Sequence, residues 1–246
     1  MKTDNFILNQ DNDRTPWRLL TPKGSARDWC VIWLQGFTST IEGHAEGLKR
    51  MAEQTNTPFA MLNYAGHGNH PTELDDATRA QQLREVIGVY DELHKLGFSK
   101  FIAIGGSFGA YMAALLSAER PLESLTLRVP AIYEDSEFDI PFKDTRSGRT
   151  KERSDVWRET VSSKMVNKAL HAVGSFTGDT YVIEHELDSV INPAVPKAYF
   201  EVAKHPNYIV IRGCDHSPKL MPDPEKFFAI IEQWIATIVI STKLKN

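Results

Sequence analysis

Phe101-Ile102-Ala103-Ile104 is an unbroken apolar tetrad, followed at once by Gly105-Gly106-Ser107-Phe108-Gly109 and then by Ala110-Tyr111-Met112-Ala113-Ala114-Leu115-Leu116. An apolar run between Lys100 and a glycine suits a strand buried on both faces of a parallel sheet. The segment after it is apolar nearly all round, which suits a helix at the centre of a protein. The join is therefore a sharp turn from a buried strand into a buried helix, where side chains would collide and glycines flank the serine. A chain built around such a unit is bound to an α/β architecture.

The rest of the sequence repeats this alternation. Candidate strands lie at 30–34, 59–63, 101–104, 125–129, 181–184 and 208–211, and candidate helices near 41–55, 77–96, 108–119, 194–204 and from about 224 onward. In the 77–96 stretch Leu83, Val86, Ile87, Tyr90 and Leu93 recur at three-and-four spacing, and Gly97 supplies a C-terminal stop. The last helix has Asp223 as N-cap, Pro224 at its first position and a stripe of Phe227, Ile230, Ile231 and Trp234. The expectation is one domain over 1–246, with a doubly wound, mostly parallel central sheet flanked by helices on both faces. Segments around 6–8 and 17–20 fit antiparallel edge strands.

Residues 130–178 break the rhythm. They open acidic (Glu134, Asp135, Glu137, Asp139), turn basic (Lys143, Arg146, Arg149, Lys151, Arg153) and carry Pro130 and Pro141. A helix is predicted over about 155–171, with Val156, Val161, Met165 and Leu170 as scattered apolar contacts. An insertion this long between strands is expected to be a cap or lid over a site.

Composition excludes some classes of function. The 246 residues are 41% hydrophobic, enough for one substantial core. A net charge of −4, with neither sign in a long block, offers no electrostatic drive toward nucleic acid or an anionic membrane. Two cysteines, Cys30 and Cys214, fall in or beside predicted strands and are read as buried free thiols, in keeping with a reducing cytoplasm. Residues 1–14 contain no apolar core of a secretory signal. The apolar stretch 227–240 is interrupted by Glu232 and Gln233 and reads as too short to span a bilayer. A soluble cytoplasmic protein is expected; its oligomeric state is not legible here.

The turn at 105–109 also carries chemistry. It would lift Ser107 Oγ into a cleft and leave neighbouring backbone N–H groups free for an anion. A dinucleotide fingerprint needs G-x-G-x-x-G and a phosphate loop needs Gly-Lys-Ser/Thr; neither spacing is present. A serine nucleophile needs a base, and the base needs an acid that fixes its tautomer. In a doubly wound sheet these come from loops at the carboxyl ends of later strands. Asp188 follows the 181–184 strand and His216 follows the 208–211 strand, in Gly213-Cys214-Asp215-His216. Glu184 and Glu186 are rivals to Asp188, and Asp215 adjoins the base in sequence. His67 and His70 are close neighbours but bring no convergent carboxylates, so no metal site is expected.

The order Ser107, Asp188, His216 resembles that of the α/β-hydrolase superfamily, and the resemblance covers the chain from about residue 29 to the end. Val31-Ile32-Trp33-Leu34-Gln35-Gly36-Phe37 is similar to the family's strand and oxyanion loop, with Gln35 where a histidine is usual. Asn63-Tyr64-Ala65-Gly66-His67-Gly68 resembles its Gly-His-Gly turn, in which His67 reads as a structural hydrogen-bonding residue. The 106–113 elbow is similar to those of prolyl-oligopeptidase-type peptidases and small esterases. His185 stands where many relatives have glycine. The resemblance implies a cofactor-independent, metal-independent serine hydrolase of small-molecule carboxylic esters. It also implies an oxyanion hole from the Phe37 and Phe108 amides. A thioester of CoA or a carrier protein, a small peptide amide, or a ligand bound without turnover are the alternatives. Phe37, Phe108 and Ile191 are expected to line an apolar pocket.

Overall fold

A computed structural model describes residues 1–10, 13–26, 28–145 and 157–245. Among these residues the strands are β1 (Lys2–Gln10), β2 (Asp13–Thr21), β3 (Trp29–Leu34), β4 (Phe59–Leu62), β5 (Lys100–Gly106), β6 (Ser124–Arg128), β7 (Asp179–His185) and β8 (His205–Ile211). They form one sheet in the order β1-β2-β4-β3-β5-β6-β7-β8. β1 pairs antiparallel with β2, and β2 with β4; every other neighbouring pair is parallel. The two edge strands anticipated before Cys30 are thus a nine-residue antiparallel hairpin arm, with Phe6 stacked on Trp17 at 4.2 Å.

The helices are α1 (Ile41–Thr55), α2 (Arg79–Lys95), α3 (Phe108–Glu119), α4 (Lys168–Ser175), α5 (Ala194–Val202) and α6 (Pro224–Lys245). Their distribution follows from handedness. From β3 the chain steps to β4 through α1, then crosses back over β3 to β5 through α2, and every later step continues the same way. Parallel crossovers are right-handed, so reversing the direction of travel moves the helix to the other face. Val86, Val89, Met112, Leu116, Val173 and Tyr199, from α2 to α5, accordingly share one core with Ile32, Leu34 and Leu127. Leu48 and Met51 of α1 and Ile231, Ile235 and Val239 of α6 share the opposite core with Val31, Trp33 and Ile104. Alternate residues of β3 thus serve both cores, as an apolar run in a covered parallel sheet must.

Two expectations need correction. The helix predicted over 155–171 is instead a helical turn at 157–159, a turned stretch, and then α4; residues 155 and 156 lie outside the described ones, as do Arg146, Arg149, Lys151 and Arg153 of the basic run. Asn167 sets the start of α4, its side chain accepting from the Ala169 and Leu170 amides at 3.0 and 3.3 Å. Val161 and Leu170 are nonetheless buried in the α2–α5 core, and Met165 packs against that core. The second correction concerns the C-terminal apolar stretch. α6 runs 22 residues and is long and apolar enough to cross a membrane by length and composition. Here its Phe227, Ile231, Ile235 and Val239 side packs on the sheet, and Arg50 of α1 pairs with Glu232. Asp223 Oδ1 accepts from the Lys226 amide at 3.2 Å, the N-cap read from the sequence.

Candidate active site

The point where the chain reverses its direction of travel lies between β3 and β5, and clefts open there at the carboxyl ends of strands. Ser107 sits at that point, at φ 54° and ψ −117°, between β5 and the first turn of α3. A non-glycine residue held there costs on the order of 1–3 kcal/mol and persists only where its surroundings impose it. They do: the Ser107 amide donates to the Arg128 carbonyl at 2.9 Å, and the Ser107 carbonyl accepts from Ala110 and Ala131. The flanking glycines follow from crowding. A Cβ on Gly109 would stand 1.9 Å from the Leu34 carbonyl oxygen of β3, and one on Gly105 would stand 2.2 Å from the Gly109 carbonyl oxygen.

The structure brings together the three residues singled out as nucleophile, base and acid. His216 Nε2 is 3.2 Å from Ser107 Oγ, and His216 Nδ1 is 2.8 Å from Asp188 Oδ2. Asp188 Oδ1 accepts from the Val190 and Ile191 amides, both at 2.8 Å, which fixes the carboxylate plane toward the imidazole. The rivals are engaged elsewhere: Glu184 with the Tyr208 hydroxyl, and Glu186 with Arg212 and the Gly213 amide.

Phe37 and Phe108 lie on either side of Ser107. Gly36 is so near that a Cβ on it would stand 3.6 Å from Ser107 Cβ. Phe108 is the first residue of α3, so its amide has no intrahelical acceptor and points along the positive end of the helix dipole. Among the described residues neither amide donates to a protein acceptor. Gln35 anchors the loop by donating from Nε2 to the Leu62 carbonyl of β4. Phe37 and Ile191 line the pocket above Ser107, whereas the Phe108 ring is fully buried beneath it, against Tyr64, His67 and Tyr133. The expectation that Phe108 lines the pocket is corrected on that account.

Two residues next to the acid and base do more than their sequence positions suggested. Asp215 Oδ1 accepts from the Ser189 amide and hydroxyl, both at 2.8 Å, and from the His216 amide at 2.6 Å. It therefore ties the loop carrying Asp188 to the loop carrying His216. His185 Nδ1 is 2.7 Å from the Asp215 carbonyl oxygen, an acceptor only, so that nitrogen carries the proton. Burial first, and then the Arg128 guanidinium, hold His185 down to about 4. It is a neutral imidazole clamping the same two loops. Neither role was legible, because adjacency in sequence says nothing of where a loop folds back.

His67 is buried, with Nδ1 3.1 Å from the Ala65 carbonyl oxygen, the structural role expected of it. His70 faces Glu85 at 3.2 Å, and no set of three metal-ligating side chains converges among the described residues. Cys30 and Cys214 are buried and free, as expected; burial pushes the Cys214 thiol up to about 11.

No protein-family model and no curated protein sequence matches the chain. Solved structures do. Est1E from Butyrivibrio proteoclasticus superposes with a TM-score of 0.71 at 17% identity, over 98% of this chain and 99% of its own; Est1E has also been solved with ferulic acid bound. A hyperthermophilic esterase from the archaeon Pyrobaculum calidifontis superposes with a TM-score of 0.71 at 16% identity, over 98% of this chain and 86% of its own. Mouse alpha/beta hydrolase domain-containing protein 10 does so with a TM-score of 0.66 at 16% identity, over 96% and 99%. Sheet order and overall superposition agree: this chain has the α/β-hydrolase fold.

Proposed function

We propose that the protein is a serine hydrolase that cleaves carboxylic esters through an acyl-enzyme. The observation that carries this reading is the hydrogen-bonded chain Ser107–His216–Asp188 ending on a serine in a strained turn. His216 Nε2 takes the Ser107 proton as Oγ adds to the substrate carbonyl carbon. Asp188 stabilises the imidazolium and holds its tautomer. The Phe37 and Phe108 amides receive the oxyanion; one such donor supports about 3 kcal/mol of barrier lowering. The imidazolium then protonates the departing alkoxide, and water, deprotonated by His216, releases the acid and restores Ser107. These steps call on no cofactor or metal. Thioesters and small amides are attacked by the same groups, and a pocket that binds a ligand without turning it over is the reading from another class.

The described part of 130–178 supports its assignment as a cap, because Tyr133, Phe142 and Arg158 wall the pocket above Ser107. The packed side of α6 supports a soluble protein, which we place in the cytoplasm.

A fluorophosphonate probe tests the core of the proposal. Label is expected on Ser107 of the wild type, mapped by mass spectrometry, and absent from a folded Ser107→Ala variant, which should also lose at least about 10³-fold in ester turnover. A well-folded wild type that takes no label would instead favour the ligand-binding reading.

A further inference from the structure

The cavity over Ser107 has a volume of about 670 Å³, and its charge does not match that of the molecule. The protein as a whole carries −4. Yet Arg79, Arg128, Lys143, Arg158 and Lys219 line this cavity, and Asp75 is the lone carboxylate among the described lining residues. Some of the positive charge is already answered: Lys143 Nζ is 2.6 Å from Asp76, and Arg79 is held by Glu137 and by the ring of Tyr133. The wall formed by Arg128, His44 and Lys219 is different.

Arg128 is the last residue of β6, paired in register with Gly106, the residue before Ser107. Because Gly106 has no side chain, the guanidinium lies against it, Nη2 standing 2.8 Å from where a Cβ would be. Nη1 donates to His185 Nε2 at 3.5 Å, since His185 carries its proton on Nδ1. Its Nε is buried and donates to nothing, and among the described residues no carboxylate lies within ion-pair distance of Arg128 or of Lys219. Asp188 is nearby, but its oxygens are occupied by His216 and two amides. His44, on the same wall, is kept neutral first by burial and then by Arg128 and Lys219. A half-buried guanidinium with no carboxylate beside it is costly, and an oxyanion in the cavity would accept a charge-assisted hydrogen bond from Nη2, which unlike Nε is not enclosed.

We propose that the substrate is an anionic ester, and that its carboxylate or phosphate is received by Arg128, with Lys219 at the rim. This rests on the hydrolase reading above and names the class of substrate it acts on. The oxyanion could be the free carboxylate of a dicarboxylic half-ester or a phosphate of a thioester's carrier, and two substrate pairs separate these sources. The first pair is mono-4-nitrophenyl succinate against 4-nitrophenyl butyrate, equal in acyl length. The second is butyryl-CoA against butyryl-N-acetylcysteamine.

In the wild type, kcat/KM is expected to favour the anionic member of one pair by at least about tenfold. Arg128→Gln should bring that ratio close to one, and Lys219→Gln or added salt should lower it about threefold. The ratio reads selectivity even where a variant lowers turnover generally. If Arg128→Gln does not fold, the wild-type ratio and its change in Lys219→Gln decide alone. Ratios of one or below in both pairs, with the neutral members turned over, would overturn the proposal and leave the hydrolase reading intact. If no substrate of either pair is turned over and Ser107 takes no label, the hydrolase reading fails instead. Calorimetric binding of succinate or of inorganic phosphate to the wild type, lost in Lys219→Gln or Arg128→Gln, then supports the anion site, and no binding to the wild type refutes it.

Discussion

Ser107 is the residue at which local and global preferences conflict. Its φ of 54° is one that a glycine adopts without strain and a serine does not. The surrounding backbone imposes that conformation through the Arg128 and Ala131 hydrogen bonds, and the gain is a hydroxyl held toward His216. Replacing the serine with glycine should relieve the strain, and replacing it with alanine should not. Ser107→Gly is therefore expected to be more stable than Ser107→Ala by about 1 kcal/mol in urea unfolding, although both lack the hydroxyl. Equal midpoints would mean that the turn stores no strain.

Elements act here mainly by presenting their ends. β3, β5, β7 and β8 deliver the Phe37 loop, Ser107, Asp188 and His216 to one rim, and the relative placement of the last two depends on contacts between loops. Asp215 is the fastening, through three hydrogen bonds to Ser189 and His216. Asp215→Ala should leave the sheet intact but let Asp188 and His216 drift apart, slowing fluorophosphonate labelling of Ser107 about tenfold. Asp215→Asn keeps the accepting oxygen and should restore most of the rate. A positioning role predicts that rescue; a requirement for the negative charge does not.

On the scale of the whole molecule, the fold resists protonation of two imidazoles, the buried His185 and the half-buried His44. His185 and His44 are both lowered to about 4 from an ordinary 6.5, by burial first and then by Arg128. The unfolded chain takes up these protons as pH falls below 6.5, and the native protein does not until about 4. Stability is thus fully present above pH 6.5 and is lost as pH falls toward 4, by on the order of 3 kcal/mol per imidazole at the low end. Glu85 works in the opposite sense, since burial raises it and the native state holds its proton longer. Urea midpoints at pH 8, 6.5, 5 and 4 should fall steadily, and His185→Gln should flatten part of that fall. A flat profile in the wild type would show that the native state accommodates the charged imidazoles.

Strand and helix placement was legible because the central apolar runs are long enough to be buried on both sides, and periodicity distinguishes the helices between runs. Ser107, Asp188 and His216 could be picked out by their position just past strand ends, and the elbow by its glycines. The turned course of 157–167 could not, because the scattered apolar contacts of that stretch fit a helix and an irregular chain equally well. Asp215 and His185 were hidden for a related reason: a hydrogen bond between two loops depends on how both fold back, which neither loop's sequence encodes alone. Arg128 left a faint trace, the one charge within the Leu125-Thr126-Leu127-Arg128-Val129 run. Local patterning along one chain segment determined the architecture and the candidate nucleophile, base and acid. Whether the half-buried Arg128 guanidinium meets a carboxylate or faces the cavity over Ser107 is set by segments far apart in sequence, and only the tertiary structure decided that.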